Sequence, residues 1–253
     1  MRADFDLHPG EPPAVMKEPP ADTTVAVRTA DQPLVRPRDA ATLVLYRKDG
    51  RRIDVLMGER HAKHRFMPNR YVFPGGRVDR TDARVRAASE LASPVRAKLE
   101  QAAVPSRARA LALAAIRETF EETGLLLGAP DPKPGAAVPA AWQEFFAHGV
   151  APALDRLDYV ARAVTPPYRP VRFNARFFVA DASHADGTIQ GSGELLDLRW
   201  FPIADALELP LPRITGVMLG HVEALLSGDQ DAGKPRTIPL YHYVHGKHRN
   251  DRE

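Results

Sequence analysis

Residues Arg117 to Gly124 read RETFEETG and follow LALAAI, a run of strong helix formers. Three glutamates, Glu118, Glu121 and Glu122, stand there at i, i+3 and i+4. On a helix that spacing puts them on one flank. Like charges so placed destabilise a helix by roughly 0.2–0.5 kcal/mol per pair. Either water screens the cluster or something cationic belongs beside it. The pattern predicts a helix from about Arg107 to Thr123 that stops at Gly124, because glycine is favoured just past a helix C-terminus. Leu113, Ile116 and Phe120 recur at i, i+3 and i+7 and should face a core, on a flank other than that of the glutamates.

Working outward, AATLVLY (Ala40–Tyr46) and IDVLMGER (Ile53–Arg60) flank the turn signal RKDGRR, with Asp49-Gly50 at its centre. That pattern predicts a β-hairpin. YVFPGG ends a third short strand at a Pro-Gly-Gly turn. Residues 83–104 are rich in Ala, Arg and Leu, with Ser93 as helix cap and Pro94 at the first helical position. Pro105-Ser106 reads as the break before the glutamate helix. Further on, 128–139 reads as a loop and AWQEFFAHGV as a short helix. VRFNARFFVA (Val171–Ala180) alternates, with Val171, Phe173, Phe177 and Val179 on one face and Arg172, Asn174 and Arg176 on the other. ELLDLRWFPI, a helix over ADALEL, an amphipathic helix from Ile214 to Gly228 and a strand-like TIPLYHYV complete the order. Mixed strands with a few helices and no internal repeat imply an α+β chain, built as an α/β/α sandwich with a mixed sheet.

Residues 1–38 hold seven of the 24 prolines without sustained periodicity, which predicts a disordered or loosely docked tail. The folded domain is expected over 39–228, with a helical insertion at about 83–113, and 229–253 as a C-terminal strand and charged tail. With 253 residues and 44% hydrophobic composition, the chain can bury a sizeable core. It has no cysteine, which excludes disulfides, thiolate metal sites and cysteine nucleophiles. No apolar run reaches the length of about 18 residues that a membrane span needs. MRADFDLHPGEPPAV lacks the pattern of a signal peptide, and NDRE lacks a Ser-Lys-Leu-like address, so a cytoplasmic location is expected. Net charge is +3, from 35 basic and 32 acidic residues. That balance suits an anionic small molecule better than a stable nucleic-acid partner, which usually meets a basic stripe. The nearest thing to such a stripe is RHAKHR, Arg60 to Arg65.

Three carboxylates on one flank suit a hard divalent cation such as magnesium, which takes oxygen ligands and is often shared with substrate phosphates. Such an ion would relieve the repulsion, align a phosphate chain and favour in-line attack by water. Arg117 can pair with one glutamate and hold its orientation. FPGG, 41 residues before the arginine, ends a strand in a turn whose backbone can approach closely because glycine has no Cβ.

These residues resemble the box of the Nudix hydrolases, G-x5-E-x7-R-E-U-x-E-E-x-G-U, where U is bulky and apolar. Gly76 opens it; Arg117-Glu118, Glu121-Glu122, Gly124 and Leu125 close it. Asp82 stands at the early acid and Thr119 at a U position. Thirty-four residues, Ala83 to Ile116, replace the expected seven, an insertion of 34 − 7 = 27. The insertion, the early Asp and the RETFEE closure are similar to a branch of peroxisomal-type coenzyme A diphosphatases. A second signature of that kind, L-L-T-x-R-[SA]-x3-R-x3-G-x3-F-P-G-G, is met at Leu56, Arg60, Arg65 and Phe73 to Gly76. It is missed at Met57, Gly58, His61 and Asn69.

The resemblance implies hydrolysis of the diphosphate in a nucleoside-diphosphate-linked small molecule. It implies Mg2+ or Mn2+ on Glu118, Glu121 and Glu122, with Arg117 orienting the cluster and Gly75-Gly76 shaping the adjacent turn. Its branch implies coenzyme A or acyl-CoA as substrate, split to 4′-phosphopantetheine and 3′,5′-ADP. Arg60 and Arg65 would then grip phosphate through forked hydrogen bonds, with Lys63 and Arg70 secondary. Glu194 is either a late-loop acid serving as ligand or base, or a structural glutamate. ADP-ribose, NADH or a dinucleoside polyphosphate stays open as the substrate, and so does a non-hydrolytic binding module. His61, His64 and His148 read as surface or loop residues. Oligomeric state is open, with a homodimer among the forms.

Overall fold

The run 40–46 lies inside a twelve-residue strand, β1 (Arg38–Asp49), which turns at Gly50 (φ +58°) into β2 (Arg52–Arg60). Short strands β3 (Tyr71–Val72) and β4 (Gly75–Arg77) follow, then helices α1 (Ser93–Glu100) and α2 (Pro105–Thr123). Next come β5 (Gly128–Pro130), α3 (Gln143–Ala147), β6 (Val150–Pro152), β7 (Asp158–Val164), β8 (Phe173–Asp181) and β9 (Leu195–Pro202). The chain ends in α4 (Ile203–Ala206), α5 (Arg213–Ser227), β10 (Pro239–Val244) and β11 (Lys247–Arg252). This computed structural model describes residues 27–29, 33–62, 67–228, 236–244 and 246–252. Most of the segment read as a loose N-terminal tail therefore lies outside the described residues, as does Arg65.

β1 is the pivot of a mixed sheet in the order β11-β10-β7-β8-β1-β2-β3. On one edge it runs parallel to β8, with Arg38 opposite Phe173 and Tyr46 opposite Asp181. On the other edge its C-terminal end pairs with β2, Tyr46 opposite Val55, and its N-terminal end pairs with β4, Thr42 opposite Gly75. The far half of that edge of β2 is thereby left to β3, while β9 pairs along the other edge of β2. This division brings the Pro-Gly-Gly turn beside the start of β1.

Alternation along the central strands feeds two cores. Ala41, Leu43 and Leu45 of β1, Leu56 of β2, and Phe178 and Ala180 of β8 pack with α1 and α2. Val44, Val55, Met57, Phe177 and Val179 pack with α4 and α5. Burying a large apolar side chain contributes roughly 1.5–3 kcal/mol, so both faces of the sheet must be covered. The result is the α/β/α sandwich expected from the sequence.

Several local expectations shift. Pro105 opens α2 at its first turn instead of breaking the chain before it, because the missing N–H there has no helical partner to lose. Ser93 is the first helical residue of α1 and Ala92 precedes it as the cap. Part of 128–139 is strand, since β5 pairs with β6. The ADALEL helix shortens to α4, and the charged end 247–252 forms β11 against β10. Arg176 does face away from Phe177, but that face is covered by helices. Its guanidinium is buried and donates to Asp39 Oδ1 at 3.3 Å, Asn174 O at 3.2 Å and Ala102 O at 3.1 Å. Among the described residues no helix is long and apolar enough to cross a membrane.

Candidate active site

Gly124 ends α2 in the left-handed conformation (φ +73°), as the sequence predicts. Leu113, Ile116 and Phe120 enter the core, also as predicted. The glutamate flank is a different matter, for it is not a solvent face. Glu122 is 4% exposed and Arg117 6%, while Glu121 remains 40% exposed at its side chain.

Each glutamate has a distinct local fixture. Gly75 N–H donates to Glu122 Oε2 at 2.8 Å across the gap between β4 and α2. A Cβ at Gly75 would stand 2.6 Å from Ala41 O and 2.7 Å from Thr42 Cα, so only glycine permits this approach. A Cβ at Gly76 would fall on the Glu118 carboxylate. Arg117 Nη1 donates to Glu118 Oε1 and to Glu121 Oε2, both at 2.9 Å. Its Nη2 donates to Arg77 O at 2.9 Å and to Asp82 Oδ2 at 3.1 Å, and its Nε to Asp82 Oδ1 at 2.9 Å. Thr119, the polar substitute at the apolar U position, is buried and returns its hydroxyl to Ala115 O at 2.8 Å. That bond satisfies the hydroxyl within the helix and explains how the substitution fits.

The electrostatics follow from this burial. Desolvation pushes Glu122 up to about 8, against the Gly75 hydrogen bond and the charge of Arg60, while Glu118 and Glu194 add to the rise. Desolvation pushes Glu118 up to about 7, opposed by Arg117 and assisted by Glu121. Glu121 is raised in the same sense, by desolvation first. Burial works against the charge of Arg117, but its hydrogen bond to Asp82 and the field of Glu118, Asp82 and Glu121 raise its pKa overall.

Arg60 and Glu194 belong to the same neighbourhood, since the charge of each acts on Glu122. Glu194 is exposed immediately before β9, and its carbonyl accepts from His61 N at 3.3 Å. The loop that carries it is tied to the end of α2. Leu126 and Asp186 exchange two backbone hydrogen bonds, at 2.8 and 3.0 Å, and Gln190 N donates to Thr123 O at 2.8 Å. Lys63 and His64 lie with Arg65 outside the described residues. His148 packs edge-on against Phe120, with ring centroids 5.6 Å apart. Asp82, which the sequence marked only as a departure from a pattern, is the buried acceptor for Arg117. Trp142, which sequence reasoning passed over, donates its indole N–H to the same carboxylate at 3.0 Å. The available signal was a tryptophan, one of two in the chain, in a short segment that also carries Phe145 and Phe146.

Among the described residues no three carboxylate or imidazole groups converge as a finished metal cage. Arg117 bridges Glu118 and Glu121 and occupies one oxygen of each. The donor set still fits a hard divalent cation: three oxygen-donor side chains on one flank, with ionisation opposed by burial, a penalty a cation would offset.

No family model matches the chain. A Caenorhabditis elegans protein described as "Putative nudix hydrolase 7" is 40% identical over 89 residues. That match covers 35% of this chain and 22% of the relative, so the chain spans about a fifth of that protein. The crystal structure of a NUDIX hydrolase from Alicyclobacillus acidocaldarius is 31% identical. It superposes with a TM-score of 0.60 over 76% of this chain and 93% of that one.

Proposed function

The chain belongs to the Nudix hydrolase family, and on that premise we propose that it hydrolyses the diphosphate of a nucleoside-diphosphate-linked small molecule, with coenzyme A or acyl-CoA as the preferred substrate. What supports hydrolysis is the buried carboxylate flank of α2 held against the Gly75-Gly76 turn. What supports a phosphate-rich substrate is Arg60, whose positive field reaches Glu122. The coenzyme A preference rests on the spacing of Arg60 and Arg65 before Phe73 to Gly76.

Glu118, Glu121 and Glu122 would hold Mg2+ or Mn2+, which neutralises phosphate charge and makes the phosphorus more open to attack. The protein groups have separate tasks. Gly75 N–H fixes one oxygen of Glu122 and leaves the other as a ligand. Gly76 leaves room for the Glu118 carboxylate. Arg117 keeps its proton throughout and holds Glu118 and Glu121 in one orientation. Arg60 attracts and orients the anionic diphosphate. Glu194, an exposed carboxylate outside α2, takes the proton of the attacking water.

Incubation of the purified full chain with Mg2+ or Mn2+ and a panel of coenzyme A, ADP-ribose, NADH and a dinucleoside tetraphosphate tests this. Release of 4′-phosphopantetheine and 3′,5′-ADP is expected. Turnover of ADP-ribose with coenzyme A left intact would replace the substrate and keep the chemistry. No product from any member would overturn the hydrolase assignment. Glu121→Gln and Glu122→Gln should each lower kcat by at least about a hundredfold, the scale expected when transition-state charge loses its stabilisation.

A further inference from the structure

Asp82 is 0% exposed, and each of its oxygens accepts two hydrogen bonds. Oδ1 takes Arg117 Nε at 2.9 Å and Trp142 Nε1 at 3.0 Å. Oδ2 takes Arg117 Nη2 at 3.1 Å and Asp79 N at 2.7 Å. A carboxylate has about four acceptor positions, so none is left over. The guanidinium it holds spends its remaining donors on Arg77 O, Glu118 and Glu121.

Trp142 comes from outside the box, in the one-turn 3-10 segment Ala140–Trp142 that leads into α3. Its ring is fully buried and set by aromatic packing. The Trp142 and Phe145 centroids are 5.4 Å apart, and Phe145 lies 5.4 Å from Phe120 of α2. The indole is therefore anchored to the glutamate helix by its ring and to the early acid by its N–H. Aspartate is one methylene shorter than the glutamate of the box. A shorter acid reaches less far, and a buried charge whose acceptor positions are only partly filled is costly. The indole fills the position on Oδ1 that Arg117 and the backbone leave, and so fixes the plane of the carboxylate against the guanidinium fork.

We infer that Trp142 is a positioning residue: it orients Asp82, so that Arg117 presents Nη1 to Glu118 and Glu121 in one geometry. Its consequence for turnover rests on the hydrolase assignment; the chain of hydrogen bonds does not. Trp142 thereby accounts for the aspartate at the early acid, since a glutamate would press its extra methylene on the indole.

The 253-residue chain permits a test without and with activity. It has two tryptophans, Trp142 and Trp200, so its proton–nitrogen spectrum carries two indole N–H signals, assigned by Trp142→Phe or by Trp200→Phe. Arg117→Lys should shift the Trp142 signal and leave that of Trp200 in place; an unmoved Trp142 signal would overturn the relay. In turnover, Trp142→Phe should lower kcat about tenfold, with KM changed by less than about twofold. Asp82→Glu alone should also be slow, whereas Asp82→Glu in the Trp142→Phe background should recover most of the lost kcat. A ring needed only for packing would leave the Trp142 signal unmoved by Arg117→Lys; absence of rescue, or a Trp142→Phe kcat within about twofold of the parent, would overturn the positioning role. If Trp142→Phe does not fold, the Arg117→Lys spectrum still decides. If the parent protein hydrolyses nothing, the hydrolase assignment falls and the spectrum alone judges the relay.

Discussion

Glu122 keeps its carboxyl group where water scarcely reaches, and burial pushes its folded pKa up to about 8. Glu118 is raised likewise, to about 7. Both lie above the usual glutamate value of 4.5. Between the two limits the folded, metal-free chain holds protons that the unfolded chain releases. Stability contributed by these groups is therefore present at low pH and is lost as pH rises through the folded values. In EDTA, Tm should fall between about pH 5 and pH 8.5, and it should fall less in Glu122→Gln, whose amide needs no proton. Mg2+ should raise Tm more at the alkaline end, because binding to the folded state adds stability. Equal pH profiles for the parent and Glu122→Gln would contradict the burial argument. The type and spacing of these residues were legible in the sequence. Their pKa values were not, because desolvation depends on what packs around them.

α2 was the most legible element, through its period and its glycine stop. What the pattern concealed was burial on nearly every side. Gly124 bears the helix end at φ +73°, and a Cβ there would stand 2.9 Å from Thr188 O. Gly124→Ala should cost more than about 1 kcal/mol by denaturant unfolding, since the left-handed conformation is strained for alanine. It should also lower kcat, because that end of the helix is bonded to the loop that leads to Glu194. A substitution neutral in both measurements would show that the loop does not depend on this cap. Residues 83–113 hold α1 and the first turns of α2, joined to the strand region by an extended leg. Ala88 N donates to Pro152 O at 2.9 Å, Leu154 N to Ser89 O at 3.2 Å, and Arg86 forms an ion pair with Asp131. Composition predicted helices here. It had no means of predicting the leg, whose backbone partners lie more than sixty residues on.

At the scale of the molecule, the sandwich stands on β1, which pairs with β8 along one edge and with β2 and β4 along the other. Leu43 is fully buried in the core under α2. Leu43→Ala should cost about 2–5 kcal/mol by denaturant unfolding, as a cavity in a packed core does. A loss far below that range would mean that the layer collapses around the gap. Order along the chain was enough to dictate the hairpin, the glutamate helix with its stop, and the alternation that lets a sheet bury both faces. These are properties of neighbours a few residues apart, governed by backbone geometry and side-chain period. Only folding decided which charges lose their water and who receives them. Gly75 meets Glu122 across 47 positions, Asp82 meets Arg117 across 35, and Trp142 meets Asp82 across 60. Such pairings depend on how layers stack, so the carboxylate cluster was legible in the eight letters from Arg117 to Gly124, while the arrangement that holds it in register required the tertiary structure.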